Sequence, residues 1–220
     1  MTSTRLNLFT FPHKGLRNAL AQLSRLAGQV ECKDTHSLEA LNDLADEVFL
    51  LLDLHAHSEE SVVLRALESK QPGSATHNLN EHKDVEHQLG NLKKQLHILN
   101  QQPVLSHSQT FYSMINNFHS AYLAHMEMEE SDINELLWTN FTDNELMQLH
   151  HDVMSSLTPE QVSIWFKYIV PALNQSERVA IMNSLKEAAP EPFFHSVLMM
   201  LKHDIAQGDF NFLRHQLGCA

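Results

Sequence analysis

Apolar residues recur along this chain with the period of a helix, and nowhere with the alternation of a strand. The first apolar run starts near Pro12, a residue suited to a first turn, and stops at Gly28. A second and longer one runs from about Ser37 to Lys70, where Gln71-Pro72-Gly73-Ser74 breaks it. A third covers about His77 to Asn100, and a fourth about His107 to Trp138. Four long helices on short or moderate loops predict an all-α, up-down-up-down four-helix bundle over residues 1–141. Beyond Thr139-Asn140-Phe141 the runs shorten, so residues 142–220 read as a C-terminal helical extension of three or four shorter helices. Two of their starts carry cap chemistry: Thr158-Pro159-Glu160-Gln161, and Asn174 followed by Glu177. Pro190 and Gly208 mark breaks between the last helices.

Each of the four long stripes is interrupted by polar residues at inward positions. In the second helix the stripe is Leu41, Leu44, Val48, Leu51 and Leu52, then His55 and Glu59, then Val62 and Ala66. In the third it is Leu79, His82, Glu86, Leu89 and Leu96, and in the fourth Phe111, Met114, Phe118, Tyr122, His125, Glu129 and Leu136. The first helix turns His13 inward, ahead of Leu16, Leu20 and Leu23. Three helices thus carry His and Glu four residues apart on one face, and the fourth adds a histidine.

A single inward histidine is commonly a satisfied core residue, and one such pair is commonly a surface ion pair. Three pairs and a fourth histidine on separate stripes point to metal. Buried carboxylates without partners each cost several kcal/mol or hold protons. Two divalent cations offset the charge of three carboxylates and one bridging hydroxide, which makes the cluster tolerable in an apolar core. Imidazole with carboxylate suits iron, with manganese or zinc as second choices, and does not suit the all-oxygen shells of calcium or magnesium. The ligand set is therefore expected to be His13, His55, Glu59, His82, Glu86, His125 and Glu129, with His87 the alternative to Glu86. Glu60 and Glu130 lie at the stripe edge, placed to hold histidine ligands from outside. His57 falls on the far face of its helix, and Tyr122 and His119 read as core or supporting groups. The histidines of the extension (His150, His151, His195, His203, His215) lack paired carboxylates and read as surface residues.

Composition narrows the partners. The formal net charge of −12 argues against nucleic acid and anionic membranes. No run approaches the roughly 20 apolar residues of a membrane span, and the N-terminal segment lacks the pattern of a signal peptide. Cys32 and Cys219 match no metal or redox spacing, so a cytoplasmic location is expected.

Four stretches then carry a family likeness. "HAHSEESVVLRAL" resembles the second-helix signature of hemerythrin-like, or HHE cation-binding, domains. "NEHKDVEHQLGNL" and "HMEMEESDINELLW" resemble the third- and fourth-helix motifs, and "FPHKGLRNALAQL" fits the first-helix histidine. The likeness covers about residues 10–140, and the region behind it looks like a helical extension found in some bacterial and plant members. It implies a non-heme di-iron centre, two iron ions with a bridging oxo or hydroxo group, and Glu59 and Glu129 as bridges. Oxygen carriers of the family have five histidines, with a second one in helix three. Glu86 and the His125-x-x-x-Glu129 spacing depart from that, and place this chain nearer the cation-binding and sensing branch. The expected role is to bind or sense dioxygen, another small diatomic, peroxide, iron or redox state, with a protein partner for the extension. A di-iron oxidase, peroxidase or ferroxidase is the alternative, favoured by a carboxylate-rich site. An interaction module without metal is a third reading.

Overall fold

The computed structural model describes residues 5–219, and among these every regular element is helical. Helix α1 spans Thr10–Ala27, α2 Thr35–Ser58, α3 Arg65–Lys70, α4 Thr76–Gln101, α5 Leu105–Met128 and α6 Asn134–Asn140. Asn7 accepts from the backbone N–H groups of Phe9 and Thr10 at the head of α1, and Asp34 accepts from that of His36 at the head of α2. The break after α3 uses Gly73 at φ +90°, a left-handed conformation that costs glycine nothing. The Glu68 carboxylate accepts from the backbone N–H groups of Gly73 and Ala75 and closes that turn.

The second predicted helix is not continuous α-helix. α2 passes into a π-helical turn, Glu59–Leu64, before α3, and α5 passes into another, Glu129–Ile133, before α6. Each wide turn begins on a glutamate. A π-turn absorbs one extra residue and so rotates everything downstream. The stripe expected to continue through Val62 and Ala66 instead buries Val63, Leu64 and Leu67, and the one expected at Leu136 buries Ile133 and Leu137. These residues join Phe9, Ala75, Phe141, Leu146 and Leu149 in one apolar cluster.

The chain divides into two units. The first runs up to Thr10 and over Ala19–Ser156, so it keeps α7, Asp143–Ser155, whose Leu146 and Leu149 enter the cluster just described. The change in sequence character near residue 142 coincides with the Thr142 cap of α7, a capping box with Glu145. Within this unit α4 packs along α5 and against α2, and the Asn42 and Asn100 amides hydrogen-bond each other.

The second unit comprises Phe11–Asn18 and the chain from Leu157 on. It holds α8 (Pro159–Ala172), α9 (Gln175–Ala188), α10 (Glu191–Met200) and α11 (Gln207–Gln216), which brings the short helices to five with α7. Both expected caps form: Thr158 with Gln161, and Asn174 with Glu177. Gly208 lies in the first turn of α11 rather than in a break. Phe166, Val170, Met182, Phe194, Leu201, Phe210 and Leu213 belong to a wholly apolar core. Arg178 pairs with Asp209 at 2.7 Å and donates to the carbonyls of Val170 and Pro171, tying α8, α9 and α11. Gly15 lies so close to Ile169 that a Cβ there would meet its Cγ1 at 2.7 Å.

Candidate metal centre

Helical phase brings three stretches of the first unit together. His55 lies in the last turn of α2 and Glu59 opens the π-turn after it. His82 lies on α4, while His125 lies in the last turn of α5 and Glu129 opens the second π-turn. All five side chains are buried, at 6% exposure or less. Their inner atoms converge. Nε2 of His55 lies 3.3 Å from Glu59 Oε1 and 4.0 Å from Glu129 Oε2. Nε2 of His82 lies 3.6 Å from Glu59 Oε2 and 3.2 Å from Glu129 Oε1. Nε2 of His125 lies 3.1 Å from Glu129 Oε1. Two groups can be drawn in which every ligand atom is within 4.8 Å of the others: His55, Glu59 and Glu129, and His82, His125 and Glu129. Glu129 belongs to both.

The outward nitrogens are held as well. Nδ1 of His82 meets the Glu60 carboxylate at 3.0 Å, and Nδ1 of His125 meets that of Glu81 at 3.3 Å. A carboxylate on the far nitrogen fixes the ring and leaves the near nitrogen to ligate. Glu60 takes the supporting place expected at the stripe edge. It also lines a surface cavity of about 340 Å³ with Leu64, Arg65, Glu68 and Leu79. Tyr122, also buried, lies tilted against the His125 ring, with the ring centres 5.5 Å apart.

Burial decides the electrostatics. It raises Glu59 well above the usual carboxylate range, and the nearby charge of Glu129 adds to that. Burial pulls His125 down, yet the hydrogen bonds and charges of Glu129 and Glu81 outweigh it and leave the imidazole raised. Tyr122 is raised by burial and then by the charges of Glu129 and Glu59, so its phenol keeps its proton. Both oxygens of Glu59 are buried without a hydrogen bond. A cation satisfies these acceptors, and the nitrogen and oxygen donors fit iron, manganese or zinc. The cluster could hold a metal.

Two expectations fail on α4. Glu86 and its alternative His87 are both exposed and outside the groups. The buried face of α4 follows alternating steps of four and three: Asn78, His82, half-buried Val85, Leu89, Leu92, Leu96 and Leu99. Val85 occupies the inward step between His82 and Leu89, which turns Glu86 to solvent. His13 is fully buried on α1, in the Phe11–Asn18 stretch that groups with the second unit.

Two residues of the site escaped the sequence reading. Asn78, fully buried, donates through Nδ2 to Glu129 Oε1 at 2.9 Å. It sits four residues before His82 on the same stripe, so a polar residue at an inward position was the available signal. Glu81 had none, because a half-exposed glutamate beside a histidine stripe looks like any solvated residue.

The model of the hemerythrin HHE cation binding domain matches residues 4–137. A zinc finger protein BRUTUS-like of Arabidopsis thaliana is 22% identical over 188 residues, which cover 83% of this chain. The chain spans only 15% of the length of that relative. No solved structure gives a significant match.

Proposed function

The chain belongs to the hemerythrin HHE cation-binding domain family, and on that premise we propose that it is a non-heme di-iron protein that binds or senses dioxygen, iron or redox state. The ligands in this reading are His13, His55, Glu59, His82, His125 and Glu129, supplied by a four-helix, up-down bundle of α1, α2, α4 and α5. The observation that carries it is the pair of buried groups sharing Glu129, beside the hydrogen-bond-free oxygens of Glu59.

Iron, when bound, supplies the electrons for dioxygen chemistry. The protein's own contribution is positional. Glu60 and Glu81 hold His82 and His125 with Nε2 inward. Glu129 faces three imidazoles, and the apolar residues around the centre keep bulk water from it. The Tyr122 phenol holds its proton beside His125. Sensing follows from the same burial. Without a cation Glu59 must hold a proton or stand as a buried charge, so metal occupancy sets the stability of the fold. The sequence argument for an oxygen-activating enzyme rested on a third inward carboxylate, and Glu86 in solvent removes it. No helix among the described residues is long and apolar enough to cross a membrane. We place the protein in the cytoplasm on the chemistry of its two free cysteines.

Metal analysis of protein prepared without chelator tests this. About two irons per chain is the expected result for a two-metal site. Protein that takes up no iron in any oxidation state sinks the reading.

A further inference from the structure

Helix α7 is fixed by its inner face and by its cap. Leu146 and Leu149 enter the apolar cluster of the first unit, and Thr142 and Glu145 close a capping box at the head of the helix. The run from Met147 to Met154 then places Met147, His150, His151 and Met154 at i, i+3, i+4 and i+7, within about 100° of one another around the helix. All four are exposed, the two methionines at 55% and 37%. Each histidine therefore has a thioether one turn before it and another one turn after it. About 10 Å of helix axis separates the two methionines, a span that two unbranched side chains can close above the histidines. Leucine would cover this surface as well as methionine does, and what methionine adds is a soft sulfur. The neighbouring acid, Asp152, accepts from Gln148 at 2.7 Å on the flank of the stripe. Partial desolvation, and then the charge of His151, hold His150 below the ordinary imidazole range, so its ring is a neutral donor at neutral pH.

We propose that Met147, His150, His151 and Met154 form a second metal site, on the surface of α7, that takes a soft monovalent cation, copper(I). Thioether sulfur with imidazole selects copper(I), whereas the imidazole and carboxylate donors of the buried centre suit iron, manganese or zinc. The lack of paired carboxylates, which made these histidines read as surface residues, suits a soft site. The two sites thus sort ions by softness. The surface site shares no residue with the buried centre and does not depend on the di-iron reading.

The test is anaerobic titration of the full chain with silver(I), a redox-inert stand-in for copper(I), and then with copper(I) itself. The protein is labelled at its methionine methyl groups and followed by NMR. The methyl signals of Met147 and Met154 should move together, while those of the buried Met126 and Met182 stay in place. Zinc(II) should leave all four unmoved. Replacing both histidines by alanine should weaken silver at these methyl groups by at least about tenfold. Met147→Leu should have the same effect read at Met154, and Met154→Leu the same read at Met147. All four side chains are exposed, so these variants retain the fold, and circular dichroism checks it. Methyl signals that stay still under silver(I) and copper(I), shifts of equal size under zinc(II), or shifts that survive the loss of both histidines each overturn the proposal.

Discussion

Helices α2 and α5 differ from α4 in one structural respect that follows their chemistry. α2 and α5 each carry an inward histidine in their last turn, turn a glutamate inward four residues later, and open into a π-turn at that glutamate. α4 has an inward histidine but no inward glutamate, and it runs for 26 residues as unbroken α-helix. The wide turn lets a glutamate reach the centre while the chain beyond it re-enters the apolar cluster with Val63, Leu67, Ile133 and Leu137. Where no such side chain is needed, α4 keeps strict register and buries Leu89, Leu92, Leu96 and Leu99. An inward His/Glu pair at i, i+4 is thus legible only together with the residues after it.

Single-residue deletions test this contrast most severely. Removing exposed Glu86 from α4 rotates everything downstream by about 100°. It takes four buried leucines out of the core, each worth roughly 1.5–3 kcal/mol. Loss of cooperative folding by circular dichroism is the expected outcome. Removing exposed Ser61 from the first π-turn should do the reverse. The turn contracts to α-helix, Val63 and Leu67 move into the positions that a regular helix would have given Val62 and Ala66, and the protein still folds. Its iron content should fall, because the wide turn that presents Glu59 is gone. A Ser61 deletion that unfolds as fully as the Glu86 deletion would show that the π-turn is no local insertion.

Glu129→Ala should come next, leaving the fold but close to no iron by metal analysis, since Glu129 faces His82 and His125 and belongs to both groups. Loss of only one iron would mean that Glu129 serves a single position.

A smaller effect separates the polar centre from the dry core of the second unit. In metal-free protein Glu59 is raised by burial and by Glu129, so the folded state binds its proton more tightly than the unfolded chain does. The folded state therefore loses stability as pH climbs from the unfolded carboxylate value, near 4.5, through the raised one. The raised His125 acts in the same direction, with stability present below the ordinary imidazole range and lost as pH rises through the folded value. Thermal midpoints of metal-free protein should fall from mildly acidic to neutral pH, and Glu59→Gln should flatten that dependence. An equal slope in the variant would assign the effect elsewhere. Among the described residues, the core of α8–α11, built from Phe166, Met182, Phe194 and Phe210, has no buried acid to add to it.

Much of this was legible in the sequence. The long helices, the Thr158 and Asn174 caps, and the burial of His13, His55, Glu59, His82, His125 and Glu129 all follow from period and capping chemistry. The π-turns were not legible, because an apolar run such as Val62-Val63-Leu64 supplies a residue for either phase. Asn78 was hidden by Leu79 beside it, which is apolar but only partly buried. Glu81 is visible only once α5 is laid beside α4 and its carboxylate meets His125.

Glu86 offers the finest test, because the same position that α4 cannot lose should tolerate almost any change of side chain. Its place four residues after His82 copies the spacing of His55 with Glu59 and of His125 with Glu129, and spacing alone makes it a ligand. The heptad of α4 makes it a solvated residue, with Val85 taking the inward step. Glu86→Ala should therefore leave iron content unchanged and shift stability by no more than about 0.5 kcal/mol, as exposed substitutions do. A loss of iron in that variant would mean that α4 rotates when metal binds, and the difference between α4 and its two neighbours would then belong to the metal-free state alone.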